Sequence, residues 1–203
     1  MSRKSNTLER RAEITAAMLR VLAEQGYERA TIQAIAKEAQ LTPGLIHYHF
    51  KSKSEILMAL IEGLTAIFES RFHTLLAKAK TPKERLQSYV DARLAKGDGE
   101  NPEAVAAWVI IGSEAVKQAE VQVAYAAAIA KEFKLIKQLL EARLAEEGKH
   151  TAAAHGLAAI VLASMEGSFQ LASAAESVMP KRYAASNVMK MIERFILHEE
   201  DAA

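Results

Sequence analysis

The 203 residues are 50% hydrophobic and 25% charged with a net charge of +1, so there is material for a sizeable core and no overall charge that announces a partner. The absence of cysteine excludes disulfides and thiolate chemistry. The opening MSRKSNTLERR leads into an amphipathic stretch rather than an apolar signal core, and the most apolar run, 152–175, is interrupted by His155, Glu166 and Gln170. A cytoplasmic protein with no membrane span is expected.

In chain order, the spacing of apolar residues predicts helices throughout. Helix 1 covers about 7–25, with Ile14, Met18, Val21 and Leu22 on one face and Gly26 as C-terminal cap. Thr31 starts a short helix over 32–39, and Thr42-Pro43 starts a shorter one over 43–49. Ser52 with Glu55 forms a capping box opening a long helix over 53–78, and Thr81 with Glu84 forms another at 82–95. After a Gly97-Asp98-Gly99 turn, Asn101-Pro102 opens helix 6 to about 116. Helices over 121–146, 151–175 and 180–198 complete the chain, the last started by Met179-Pro180. The expected fold is all-α with about nine helices. A three-helix head, 1–52, is joined by the long fourth helix to a C-terminal bundle, 53–203.

Charge is unevenly placed. Nine basic and five acidic residues fall in 1–53, a net of +4, which leaves −3 for the remainder. A basic head on an acidic body fits a polyanion partner, although chance clustering gives the same numbers. Helices 2 and 3, separated by Gln40-Leu41-Thr42, have the lengths and turn of a helix-turn-helix. Ile46 and Phe50 can pack on helix 2, leaving Pro43, Gly44, Leu45, His47, Tyr48 and His49 pointing largely outward. So exposed a short helix suits a reader of the DNA major groove. Its free N-terminal amides and the Thr42 hydroxyl suit phosphate oxygens.

The run ATIQAIAKEAQLTPGLIHYHFKSKSEIL resembles the DNA-binding head of the TetR (tetracycline-repressor) family, over about residues 10–65. The resemblance implies that Thr31, Thr42, His47 and Lys53 position the head on phosphates. It places Pro43, Gly44, Leu45, Tyr48 and His49 at or near the bases, with His49 alternatively packed inward beside Phe50. Two departures stand out. The family's turn glycine is Gln40 here, where a left-handed non-glycine costs roughly 1–2 kcal/mol. The family's tyrosine is His47, with shorter reach and some pH sensitivity. Arg3, Lys4, Arg10 and Arg11 could form an arm on DNA or a free tail.

For the body, the resemblance implies a ligand pocket among helices 4 to 8 and a two-fold interface built from the last two helices. Helix 8 is apolar nearly all round, so it needs cover on every side, from a second subunit or as an internal core helix. Leu171, Val188, Ile192 and Phe195 are the interface candidates. Polar and aromatic residues among apolar ones give the effector candidates Tyr89, Trp108, Glu114, Tyr125, Met165, Glu166, Phe169 and Gln170. Glu166, mid-way along an apolar helix, needs an arginine, the partner subunit or a ligand. Residues 101–146 have a fainter resemblance to regulators of choline oxidation within the same family.

Enzyme chemistry has little to draw on. Asp occurs only at Asp91, Asp98 and Asp201, and His47/His49 and His150/His155 are badly spaced for one metal. No cofactor or metal is expected. The expected function is a homodimeric, sequence-specific DNA-binding repressor, released from a palindromic operator by a small molecule. The alternatives are a non-specific architectural DNA binder and a helical adaptor.

Overall fold

The structure, a computed structural model, describes residues 3–97 and 99–201, with side chains from Thr7 onward. The side chains of Arg3 and Lys4, and Asp98 of the predicted turn, lie outside the described residues. The helices are α1 (Arg3–Arg29), α2 (Ile32–Glu38), α3 (Pro43–His49), α4 (Lys53–Leu76), α5 (Pro82–Leu94), α6 (Pro102–Ala115), α7 (Ala119–Glu146), α8 (Ala154–Ala174) and α9 (Tyr183–Leu197).

Local chemistry explains most boundaries. Gly26, at φ 78°, breaks the regular run of α1. The Thr31 and Thr42 hydroxyls accept the amides of Ala34 and Leu45, capping α2 and α3. At α5 the capping box is complete, with Thr81 and Glu84 each satisfying the other's amide. At α4, Ser52 accepts the Glu55 amide at 3.2 Å, but the Glu55 carboxylate reaches back to the Lys51 amide at 2.7 Å, one residue further than a standard box. Asn101 caps α6 through the Ala104 amide. The start of α9 departs from expectation. Met179 supplies no capping side chain, Arg182 turns left-handed at φ 56°, and the helix begins at Tyr183 rather than Pro180.

Gln40 also takes the left-handed conformation, at φ 55°. The turn that holds α3 against α2 is therefore formed without glycine, at a conformational cost. Gln40→Gly should raise the head's unfolding free energy by roughly 0.5–1 kcal/mol, read from a urea melt, because the strain relieved exceeds the entropy that glycine adds to the unfolded chain.

The chain divides into two compact units, drawn differently from the 1–52/53–203 division. The first comprises the residues up to Thr65 with Ala107–Ala128; the second comprises Ala66–Ala106 with Ile129–Ala203. The first half of α4 thus packs with the head, and so does the α6–α7 corner. In this unit Ile14, Met18, Leu22, Ile35, Ile46, Phe50, Ile56 and Leu57 are almost fully buried.

In the second unit α5, α7, α8 and α9 bury Leu86, Tyr89, Ile136, Leu140, Leu157, Val161, Met165 and Ile192. Ile67 of α4 is 38% exposed. Arg143 of α7 is buried and holds the Glu193 carboxylate of α9 through Nε at 3.2 Å and Nη2 at 2.9 Å. Its Nη1 donates to Glu147 at 2.5 Å. Lys83 of α5 also reaches Glu193, at 3.0 Å.

Burial would raise the Glu193 pKa, but Arg143 and Lys83 outweigh it and hold the group below the ordinary carboxylate range. A depressed pKa contributes stability above the unfolded value of about 4.3 and loses it as pH falls further. The melting temperature should therefore fall between about pH 5 and pH 3, and Glu193→Gln should flatten that fall while lowering stability at pH 7.

Candidate nucleic-acid interface and effector residues

The inner face of α3 is anchored by Ile46, fully buried, and Phe50, 1% exposed. The outer face carries Pro43, Gly44, His47 and Tyr48, all exposed, Tyr48 at 72%. An exposed tyrosine of that size does nothing for the core. A Cβ on Gly44 would meet nothing within 4 Å, so the glycine leaves bare backbone at the outer surface. Thr31 and Thr42 are exposed, while Leu45 is half-buried. His49 is half-buried with its ring edge-on to Tyr48, centroids 5.0 Å apart. The surface offered by α3 is therefore Pro43, Gly44, His47 and Tyr48, with Leu45 and His49 at its edges.

Three basic residues of the head make contacts within the fold. Arg11, assigned to an N-terminal arm, lies with its guanidinium 3.8 Å over the Phe50 ring and donates to the His49 carbonyl. It clamps the end of α3 rather than extending as an arm. Arg10 is paired with Glu13 at 2.6 Å. Lys53, assigned to phosphate, donates to the Tyr27 carbonyl at 3.0 Å, and its ammonium sits 3.9 Å over the Tyr27 ring. Its first task is to fasten α4 to the end of α1.

Tyr27 is a junction that periodicity did not reveal. Its amide donates to Glu114 of α6 at 2.8 Å and its hydroxyl to Glu120 of α7 at 2.5 Å. Burial, followed by the Glu120 carboxylate, raises its pKa strongly, so the phenol remains a donor. The signal in the sequence was a large ring directly after a helix-breaking glycine, with two carboxylates six apart near the α6–α7 corner. Glu114, an effector candidate, is committed here and to Lys117 at 3.3 Å.

The remaining effector candidates fall into two sets. The Trp108 and Tyr125 rings meet at a tilt of 39°, centroids 5.0 Å apart, in the first unit, where Gly112 leaves room for the Tyr125 hydroxyl. Tyr89, Met165, Glu166 and Phe169 belong to the second. Phe169 stacks on Phe68 at 5.9 Å, and Tyr89 meets Phe72 edge-on at 5.6 Å. Glu166 is half-buried and already has a partner. Gln170 is exposed on α8, whereas Met165 and Phe169 are buried.

Arg93, which was not anticipated, is buried beside this second set and pairs with Glu132 of α7 at 2.5 Å. Glu132 also accepts the Tyr89 hydroxyl. The clue was an arginine between Val90 and Leu94 on the apolar side of α5.

On α9, Val188 is 7% exposed and Ile192 fully buried, both in the subunit's own core. Neither is available to a partner, which corrects their assignment to the interface. The outward face of α8 carries Gly156, Ile160, Ala163, Gly167, Leu171 and Ala174, with Ile160 52% and Leu171 39% exposed. Phe195, 36% exposed, lies on the outer side of α9. Segment 151–174 is long and apolar enough to cross a membrane by length and composition, with 33% of its best window buried.

Comparison with known proteins covers both regions. Residues 14–60 match the model of bacterial regulatory proteins of the tetR family, and residues 82–197 match that of the BetI-type transcriptional repressor C-terminal region. The chain is 34% identical over 113 residues to the HTH-type transcriptional regulator BetI of Rhizobium meliloti, covering 56% of this chain and 55% of that one. It spans about half the length of the curated relatives it matches. A TetR-family transcriptional regulator from a Rhodococcus species shares the fold at TM-score 0.76 and 19% identity, over 93% of this chain and 98% of that one. A transcriptional regulator from Saccharomonospora viridis, solved in complex with choline, matches at TM-score 0.64 and 23% identity, over 94% and 96%.

Proposed function

Because the chain belongs to the TetR family of bacterial regulatory proteins, with a C-terminal region of the BetI type, we propose that it is a cytoplasmic, homodimeric transcriptional repressor. It binds a two-fold operator through α3 and is released by a small molecule held in the C-terminal region. The observation that carries this reading is α3 itself, with an inner face locked by Ile46 and Phe50 and an outer face of Tyr48, His47, Pro43 and bare Gly44. Thr31 and Thr42 lie where hydroxyls and helix-start amides can meet phosphates. Two such heads reading successive major grooves require centres about 34–36 Å apart.

The two-fold face is α8 with the outer side of α9. Positions 156, 160, 163, 167, 171 and 174 recur three or four apart, the spacing of a helix seam. A Cβ at Gly156 or Gly167 would meet nothing within 4 Å, so both border open space in the isolated subunit. A second α8 fills it. Release needs an effector that favours a non-binding conformation by a few kcal/mol. α4 is one continuous helix shared by both units, so a shift in its second half reaches the head.

Selection of bound DNA from a random pool tests the reading. A two-fold consensus with half-sites about one helical turn apart is expected. Equal binding to all sequences would support an architectural binder instead, and no binding at low salt would support an adaptor. Lys53→Ala separates its two roles. If fastening Tyr27 is its only role, stability falls and the salt slope of DNA binding is unchanged; a phosphate contact lowers that slope by about one.

A further inference from the structure

Among the described residues, one buried side-chain nitrogen or oxygen lacks a hydrogen-bond partner, the Nε of Arg93. Its side chain is 6% exposed. A buried guanidinium N–H left unpaired is costly enough that native proteins seldom keep one without a use. The Phe68 ring lies 4.7 Å from the guanidinium carbon and that of Tyr89 lies 5.6 Å away, and neither replaces an oxygen acceptor. Both rings are buried, and so is Phe169, which stacks on Phe68 at 5.9 Å.

We propose that Arg93 Nε is the polar anchor of the effector site, and that the effector is an uncharged, largely apolar molecule presenting one oxygen acceptor. This rests on the reading of the chain as a ligand-released repressor. Charge decides the class. The positive charge of Arg93 is already matched by Glu132, which also accepts from Tyr89. A ligand carboxylate would add an unmatched negative charge in a buried site. A quaternary ammonium would meet a carboxylate already occupied and a guanidinium that repels it. A neutral carbonyl satisfies the free N–H and leaves the pair intact. The aromatic walls supply the remaining affinity by burial.

A series on one ring tests this with the full-length protein: methyl benzoate, ethylbenzene, benzoate and benzyltrimethylammonium, repeated with 2-nonanone as a longer neutral acceptor. Binding is read by calorimetry and thermal shift, and DNA release by fluorescence anisotropy on the selected operator. A neutral acceptor should bind wild type roughly tenfold or more tightly than ethylbenzene, the worth of one hydrogen bond to a charged donor. Arg93→Lys keeps the charge opposite Glu132 but removes Nε, and should erase that preference while retaining DNA binding. Glu132→Gln leaves Arg93 uncompensated and should shift preference towards benzoate.

Failure of both neutral acceptors to bind, tightest binding by the ammonium, or an intact preference in Arg93→Lys would overturn the proposal. Operator binding in the same preparation keeps that outcome separate from failure of the repressor reading. Conversely, a preference erased by Arg93→Lys in a protein that ignores DNA would support the site and sink the repressor.

Discussion

Replacing Ile160 and Leu171 of α8 by glutamate should turn the protein into a monomer and weaken operator binding by about a hundredfold or more. Both side chains are substantially exposed in the subunit, 52% and 39%, so the change leaves its core untouched. Across a two-fold axis each substitution acts twice. Burying four such aliphatic side chains is worth about 1.5–3 kcal/mol each, and the glutamates also set like charges against one another. Without the dimer the second head loses its effective concentration, which typically costs a factor of 10²–10⁴. Analytical ultracentrifugation reads the mass, and circular dichroism checks that helicity is retained. A dimer that survives both glutamates would refute the interface. Ile192 is unsuited to this test, because a charge there would unfold the subunit that buries it.

Tyr48→Ala should reduce operator affinity roughly tenfold to a hundredfold, the worth of about 1–3 kcal/mol at a base contact, and alter the selected sequence. At 72% exposure the ring contributes little to folding, so the melting temperature should change little. Ile46→Ala is the contrasting control. That side chain is fully buried, and its loss should destabilise the head by about 2–5 kcal/mol, with binding lost through unfolding. Unchanged affinity and unchanged site preference in Tyr48→Ala would remove α3 as the reading helix.

The exposed outer face of α3 was legible in advance because its logic is local. Thr42 caps the helix, Pro43 opens it, and Ile46 and Phe50 four apart define the inner side, leaving the rest outside. The same locality gave the order of the helices, since caps and backbone hydrogen bonds join residues three or four apart. It failed at α9, where Pro180 had no capping residue before it.

Sequence by itself determined the helices, their apolar faces and the likeness of the head to a known regulator family. Tertiary structure decided which polar groups were free to act. Arg11 and Lys53 read as basic residues for DNA, and only the fold showed that their side chains also rest on Phe50 and Tyr27. Glu114 read as a ligand group until it met the Tyr27 amide 87 positions away. The Arg93–Glu132 pair spans 39 positions, and Val188 and Ile192 proved to face their own core. Periodicity shows which way a side chain leaves its helix, whereas its partner is fixed by how distant helices pack, and no local pattern encodes that.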